Sequence, residues 1–250
     1  MNEKYYTQMS QNITEKIDFI VKELSNSNYK KVVDIGCADG KTIQELSKLF
    51  NKLQFIGIDI NSRLVENNNN SNAYQNITYI TPSENSYKNL FDKNTLVIMS
   101  SVLHEIYSFT DKNSIKQLLS DISKSGGVAI RDMYFTPNSL QVENNLQYIK
   151  SKRIITKSNE LLKVRNTKMS NEFITEMLLK SLYPDNWENE KNEKYFSTNW
   201  VEIANIFSEN NLEKVYYNTY MNNYLLEKLP MLKDLTNTTH CKVIYKRLHM

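Results

Sequence analysis

The sequence predicts an α/β fold, a doubly wound and mostly parallel sheet, on three observations. Residues 31–60, KVVDIGCADGKTIQELSKLFNKLQFIGIDI, read as strand, glycine turn, helix and strand, closed by an acid. Further apolar runs at 77–80, 95–102 and 128–135 follow, separated by segments of helical spacing. The last stretch, His240–Arg247, alternates Cys241, Val243 and Tyr245, the period of a strand. At 250 residues the chain holds one such domain and an elaboration.

Residues 7–25 carry Met9, Ile13, Ile17, Ile20, Val21 and Leu24 at the spacing of an amphipathic helix. Lys31–Ile35 is a short β-branched run bounded by glycine, a buried parallel strand. Gly36 and Gly40 let the backbone bend where a Cβ would obstruct, so a ligand can lie against the main chain. Ile43, Leu46 and Leu49 mark one face of a helix over Thr42–Phe50. Phe55–Ile60 is the second strand, with Asp59 near its carboxyl end, about twenty residues past the turn. At that offset a carboxylate reaches both hydroxyls of a ribose.

The glycine spacing separates two cofactor classes. A dinucleotide fold wants G-x-G-x-x-G, but counting from Gly36 those positions hold Ala38 and Lys41. This disfavours an NAD-linked oxidoreductase. The pattern is D-x-G-x-x-x-G, from Asp34 to Gly40. It resembles motif I of the class I S-adenosylmethionine (SAM) methyltransferases, with Ala38 where the usual middle glycine stands. The resemblance covers 31–135 well, 197–250 moderately and 136–196 weakly. It implies a Rossmann-like seven-stranded sheet, mostly parallel with an antiparallel last strand, and SAM as cofactor. On that likeness Gly36, Cys37, Ala38 and Gly40 line the methionine portion, and Asp34 orients its ammonium. Asp59 holds the ribose, Ile60 packs on the adenine, and Ser100 and Ser101 border the cofactor.

The remaining elements follow in order. Tyr5 and Tyr6 either close over the cofactor or are surface residues. Asn67–Asn70 is a low-complexity run, read as a helix end and loop. Ile77–Ile80 is a third strand, followed by Thr81, Ser83 and Glu84 where the family binds the adenine amino group; which residue does so stays open. Thr95–Val102 is the most apolar strand, expected at the sheet centre, and it runs into Leu103–Phe109. Ligands bind beyond the carboxyl ends of parallel strands, so this segment should line the pocket. The resemblance places it facing the transferred methyl, which makes His104 the first candidate for a general base, with Glu105 or Tyr107 as alternatives. His104 can equally be a structural hydrogen-bonder. A helix through Leu118, Leu119 and Ile122 ends at Gly126-Gly127, and 128–135 is the fifth strand. Arg131 and Asp132 lie towards its ligand end, or pair with each other.

Beyond Gly127 there is no glycine. The core is expected over 1–135 and 197–250, with 136–196 a helical insertion serving as substrate cap. Val142, Leu146 and Ile149, then Phe173, Ile174, Met177, Leu178 and Leu182, are spaced for helices there. Ser197–Trp200 offers an N-cap to a helix over Val201–Asn210. Lys214–Tyr220 and His240–Arg247 read as the last two strands, and the leucines at 225, 226, 229 and 232 between them extend the cap.

Composition narrows the partners. A net charge of +3 and a pI near 8.6 neither demand nor exclude nucleic acid. Cys37 and Cys241 form no spaced pair, and His104, His240 and His249 form no metal-binding pattern, so no metal centre is expected. No apolar run spans a bilayer, which points to a cytoplasmic protein. The expected activity is methyl transfer from SAM to an oxygen or nitrogen of a small molecule or peptide. Tyr148, Lys150, Lys152 and Arg153 suggest RNA as a rival acceptor through a basic, stacking surface. A non-catalytic partner subunit of the same fold is the second class. The sequence leaves the acceptor and the oligomeric state open.

Overall fold

A computed structural model describes residues 13–82, 87–137, 152–166 and 170–247. Its seven strands are β1 (Lys31–Ile35), β2 (Gln54–Ile58), β3 (Ile77–Ile80), β4 (Thr95–Ser100), β5 (Gly127–Pro137), β6 (Leu212–Tyr220) and β7 (Thr236–Arg247). They form one sheet in the order β3-β2-β1-β4-β5-β7-β6. The first five strands in that order are parallel; β7 is antiparallel to both β5 and β6. The chain therefore reverses direction of travel across the sheet between β1 and β4, and the crevice at that switch point is where an open α/β sheet takes its ligand.

β4 shows why its run is continuously apolar. Leu96 and Ile98 face one layer, with Ile17, Ile20, Ile43 and Leu46. Val97 and Met99 face the other, with Ile115, Leu119, Ile203 and Phe207. A strand covered on both faces has no solvent side on which to place polar residues. The first layer consists of helices α1 (Ile13–Ser25), α2 (Lys41–Leu49) and α3 (Ser62–Ser71). The second contains α4 (Leu103–Phe109), α5 (Lys112–Ile122) and, later in the chain, α9 (Trp200–Glu209), capped by Asn199 as its sequence suggests.

Between β5 and α9 lie α6 (Lys152–Arg165), α7 (Asn171–Lys180) and the short α8 (Trp187–Glu190). α7 is buried along both faces because it sits between α6 and the pair α10 (Asn223–Lys228) and α11 (Leu232–Leu235). Ile174, Leu178 and Leu179 pack with Leu225, Leu229, Leu232 and Leu235. The leucines between the last two strands are thus the second half of this helical layer.

Several boundaries differ from the sequence reading. β2 stops at Ile58, and Asp59 and Ile60 lie past its end. β4 stops at Ser100 because Ser101 turns into the left-handed region at φ 57°. β5 continues to Pro137 and β7 begins at Thr236, four residues early, because the two pair as far as Pro137↔Thr236. Asn67–Asn70 is the last part of α3 and does structural work. The Asn68 amide donates to the Ala38 carbonyl (2.7 Å), and Asn69 exchanges hydrogen bonds with the backbone of Tyr79. Tyr5, Tyr6, Met9, Ser83, Glu84, Val142, Leu146, Tyr148, Ile149, Lys150 and His249 lie outside the described residues, as do the side chains of Lys152 and Arg153. Among the described residues no helix is long and apolar enough to cross a membrane.

Candidate active site

The glycine turn is built of three left-handed residues, Gly36 (φ 73°), Ala38 (φ 48°) and Gly40 (φ 72°). Two are glycine for reasons of space as well as torsion. A Cβ on Gly36 would stand 2.4 Å from Val102 Cγ2, and one on Gly40 2.4 Å from the Tyr79 hydroxyl. Ala38 holds a conformation that an L-residue adopts only at a cost of about 1 kcal/mol or more. Its amide donates to Asp59 Oδ2 (2.9 Å) and its carbonyl is held by Asn68, which fixes the turn from both sides.

Around this turn three features bear on what it can hold. Asp34, at 2% exposure, receives no hydrogen bond from any described residue. Burial, then the carboxylates of Asp59 and Asp39, raise its pKa to about 8. A cation set beside it would relieve that penalty. Asp59 stands at the lip with its oxygens on the Ala38 and Asn61 amides, each with a further lone pair to offer. Ile60 is 89% exposed, an apolar side chain with nothing over it. A buried carboxylate, a ribose-height acid and an uncovered apolar shelf fit the ammonium, sugar and base of an adenosyl amino acid. Cys37 is buried beneath the turn, and burial pushes its thiol far up, so it acts as packing.

The second half of the site lies beyond β4 and β5. Asp132, fully buried, accepts from the backbone amides of Leu103 (2.6 Å) and His104 (3.2 Å), which starts α4. Its other oxygen takes His104 Nδ1. The far ring nitrogen, Nε2, meets Glu193 Oε1 at 2.7 Å. Burial alone would lower the imidazole pKa, but Asp132 and Glu193 outweigh it and hold His104 well above its ordinary value. With a carboxylate at each ring nitrogen, the imidazole offers no free lone pair to a substrate proton while Glu193 is in place. Glu105 lines the same space, and burial followed by the Glu193 charge lifts its pKa to about 7.

Glu193 is brought here by the helical layer. Its carbonyl accepts from Lys180 Nζ (2.7 Å) and Arg165 Nη2 (2.5 Å), and both cations pair with Glu176. Arg131 does not pair with Asp132. Its Nε donates to Tyr220 (2.8 Å) and its Nη1 to Ser101 Oγ (2.8 Å). Lys16, His104, Glu105, Arg131, Glu193 and His240 all line one cavity of about 70 Å³. Tyr107 points elsewhere: its hydroxyl donates to Glu202 on α9 (3.1 Å). Ser100 ends β4 beside Arg131 in register.

The donor atoms of His104, Glu105 and Glu193 all lie within 4.8 Å of one another, a grouping able to hold a divalent ion, which the sequence did not foresee. At 2.7 Å, however, Nε2 and Oε1 sit closer than two ligands of one ion, which stand about 3 Å apart. The contact is that of an ion pair. Glu193, Lys16 and His240 were not singled out from the sequence. Glu193 is one of several glutamates in a polar stretch, and its neighbour Glu190 bonds Tyr195 and Asn186 instead.

This strand order, with a left-handed turn after β1 and an acid after β2, defines the Rossmann-like SAM-dependent methyltransferase class. The family described as "Methyltransferase domain" matches residues 26–210, and the chain belongs to it, with SAM as cofactor. Solved structures agree in fold. Magnesium protoporphyrin IX methyltransferase of Synechocystis, with bound S-adenosylhomocysteine, is 14% identical, with a TM-score of 0.52 over 99% of this chain and 89% of that one. PKMT2 of Rickettsia typhi, in complex with the same product, is 16% identical (TM-score 0.54, 89% of this chain). A candidate O-methyltransferase of Nostoc punctiforme is 16% identical (TM-score 0.51, 95% of this chain). The chain spans 50% of the Rickettsia protein and 58% of the Nostoc protein. No curated protein sequence matches the chain.

Proposed function

We propose that this protein transfers the methyl group of SAM to an oxygen or nitrogen of a small molecule held in the cavity between β4, β5 and the helical layer. The observation that carries this reading is the adjacency of two complementary spaces. Val102 packs against Gly36 of the turn, and its chain neighbours Ser101 and His104 line the cavity, which sets the cavity beside the cofactor turn. Bound there, SAM supplies a methyl group on a positively charged sulfur that is already a good leaving group. The protein's part is alignment, water exclusion and uptake of one proton. Asp34 and Asp59 fix the donor, with the backbone at Gly36, Ala38 and Gly40 as its bed and Ile60 as the shelf for its base. The helical layer, with its 136–196 insertion, closes the acceptor side. Glu105, tuned to about 7, takes the proton. His104 is a positioning residue that ties α4 and Asp132 to Glu193.

Incubation of the protein with labelled SAM and fractionated cell extract tests this. Label is expected in small metabolites; label confined to RNA or protein would overturn the small-molecule reading.

A further inference from the structure

Among the described residues four besides glycine hold a left-handed backbone. Asn166 and Asn211 follow helices α6 and α9, while Ala38 and Ser101 border the site. Asparagine takes this conformation readily at a helix end, whereas alanine and serine hold it only where their surroundings impose it. For Ser101 (φ 57°) the imposing residue is Arg131, which grips it twice. The Ser101 amide donates to the Arg131 carbonyl (2.7 Å), and the Ser101 Oγ accepts from Arg131 Nη1 (2.8 Å). Arg131 is itself fixed. It is buried, its Nε donates to the Tyr220 hydroxyl, and its Nη2 pairs with Glu15 of α1 at 4.0 Å. Glu15 also accepts from the Asn222 amide (3.0 Å). The next residue of β5 grips the loop further on, where Asp132 takes the amides of Leu103 and His104. Between the two grips lies Val102, whose side chain fills the space that a Cβ on Gly36 would need. The loop after β4 thus rests on the cofactor turn through one residue, while Ser101, His104 and Glu105 of the same loop line the cavity.

We propose that Arg131 is a positioning residue for methyl transfer: by holding Ser101 left-handed it keeps Val102 against Gly36, and so fixes the spacing between methyl donor and acceptor. This rests on the proposed reading of the cavity as the methyl-acceptor site. An in-line displacement needs its reacting atoms aligned at about 3–3.5 Å, and a misplacement of about 1 Å costs roughly 100-fold in rate. A serine freed from the clamp returns to the right-handed or extended regions. That turn of the chain carries Val102 off Gly36 and moves the cavity wall relative to the bound donor. Arg131 acts through the loop, and because it leans on Glu15, the seating of α1 reaches the loop as well.

Two substitutions at Ser101 in the whole chain test this. Ser101→Ala removes the side-chain grip and keeps the left-handed strain, whereas Ser101→Gly removes both, since glycine takes a positive φ freely. Turnover is followed with labelled SAM at saturation and a fixed amount of the small-metabolite fraction of cell extract. Ser101→Ala should fall at least tenfold below the wild type. Ser101→Gly should run roughly fivefold faster than Ser101→Ala, the factor that relief of a left-handed side chain is worth. Affinity for S-adenosylhomocysteine should stay within about threefold in both. Arg131→Met should be at least as slow as Ser101→Ala, and Ser101→Gly added to it should restore roughly fivefold. Should Arg131→Met fold poorly, the Ser101 pair decides alone. Equal rates in the alanine and glycine variants would overturn the proposal, as would a defect confined to KM for SAM or to S-adenosylhomocysteine affinity. No label from the wild type in any fraction and no heat with S-adenosylhomocysteine would be a different failure. It would remove the methyltransferase reading, and the proposal with it.

Discussion

The two halves of the site are built in opposite ways. The cofactor half comes from one unbroken stretch, 31–60, with Asn68 and Tyr79 from the next two elements bracing it. The proposed acceptor half gathers Lys16, His104, Arg131, Glu193 and His240, which lie on five separate segments. In the first, local backbone geometry does the work: three left-handed residues and an acid at fixed spacing. In the second, ion pairs between distant parts of the chain do it. Local geometry repeats from protein to protein and leaves a spacing to read; long-range ion pairing leaves none. The difference also implies that each half can be damaged without the other.

The largest separation should come from Asp132→Ala. It strands His104 between a vanished partner and Glu193 and uncaps α4, and breaking a buried pair of this kind costs about 3–5 kcal/mol. A fall of roughly 10 °C in melting temperature and a steep loss of methyl transfer are expected. The folded fraction should still bind S-adenosylhomocysteine within about threefold. An equal collapse of cofactor affinity would join the two halves after all.

Glu105→Gln tests the proton step. With its pKa at about 7, Glu105 is ionised above that pH, so kcat/KM should rise through pH 7 to a plateau. In the glutamine variant the rise should vanish and the plateau drop by roughly 100-fold. A persisting limb near pH 7 would return the base role to another group.

Smaller effects probe the turn and its surroundings. Ala38→Gly releases a strained left-handed alanine, and the gain of up to about 1 kcal/mol should appear as a slightly higher melting temperature with unchanged cofactor binding. A lower melting temperature would mean that the alanine methyl packs usefully. Tyr107→Phe should change least: its bond to Glu202 is worth about 1 kcal/mol or less, and turnover should be as in the wild type. Slower turnover would put Tyr107 back in the mechanism.

What the sequence disclosed follows the same division. Every strand was visible because β-branched runs sit between helical spacings, and the central place of β4 followed from its unbroken apolarity. The turn was visible because its residues are neighbours. Its supports were not: Asn68 and Asn69 sit in a run of asparagines whose composition suggested filler, yet a buried amide pins the turn. His104 stood out as a histidine after a central strand, but its state depends on Glu193, 89 positions away, whose neighbours in sequence look the same. Nor could spacing show that Arg131 turns from Asp132 to Tyr220 and Ser101, since that choice depends on strands that meet only in the folded sheet.

The central claim is that a nucleoside amino acid lies along Gly36–Gly40 with Asp34 at its ammonium and Asp59 at its sugar. Titration calorimetry with S-adenosylhomocysteine tests it most directly, on the wild type, Asp34→Asn and Asp59→Ala, each checked by melting temperature. The wild type should bind one equivalent, Asp34→Asn should bind at least tenfold more weakly, and Asp59→Ala roughly 100-fold more weakly, each lost charged hydrogen bond being worth about 1.5–3 kcal/mol. Wild-type heat that persists unchanged in both folded variants would contradict the account.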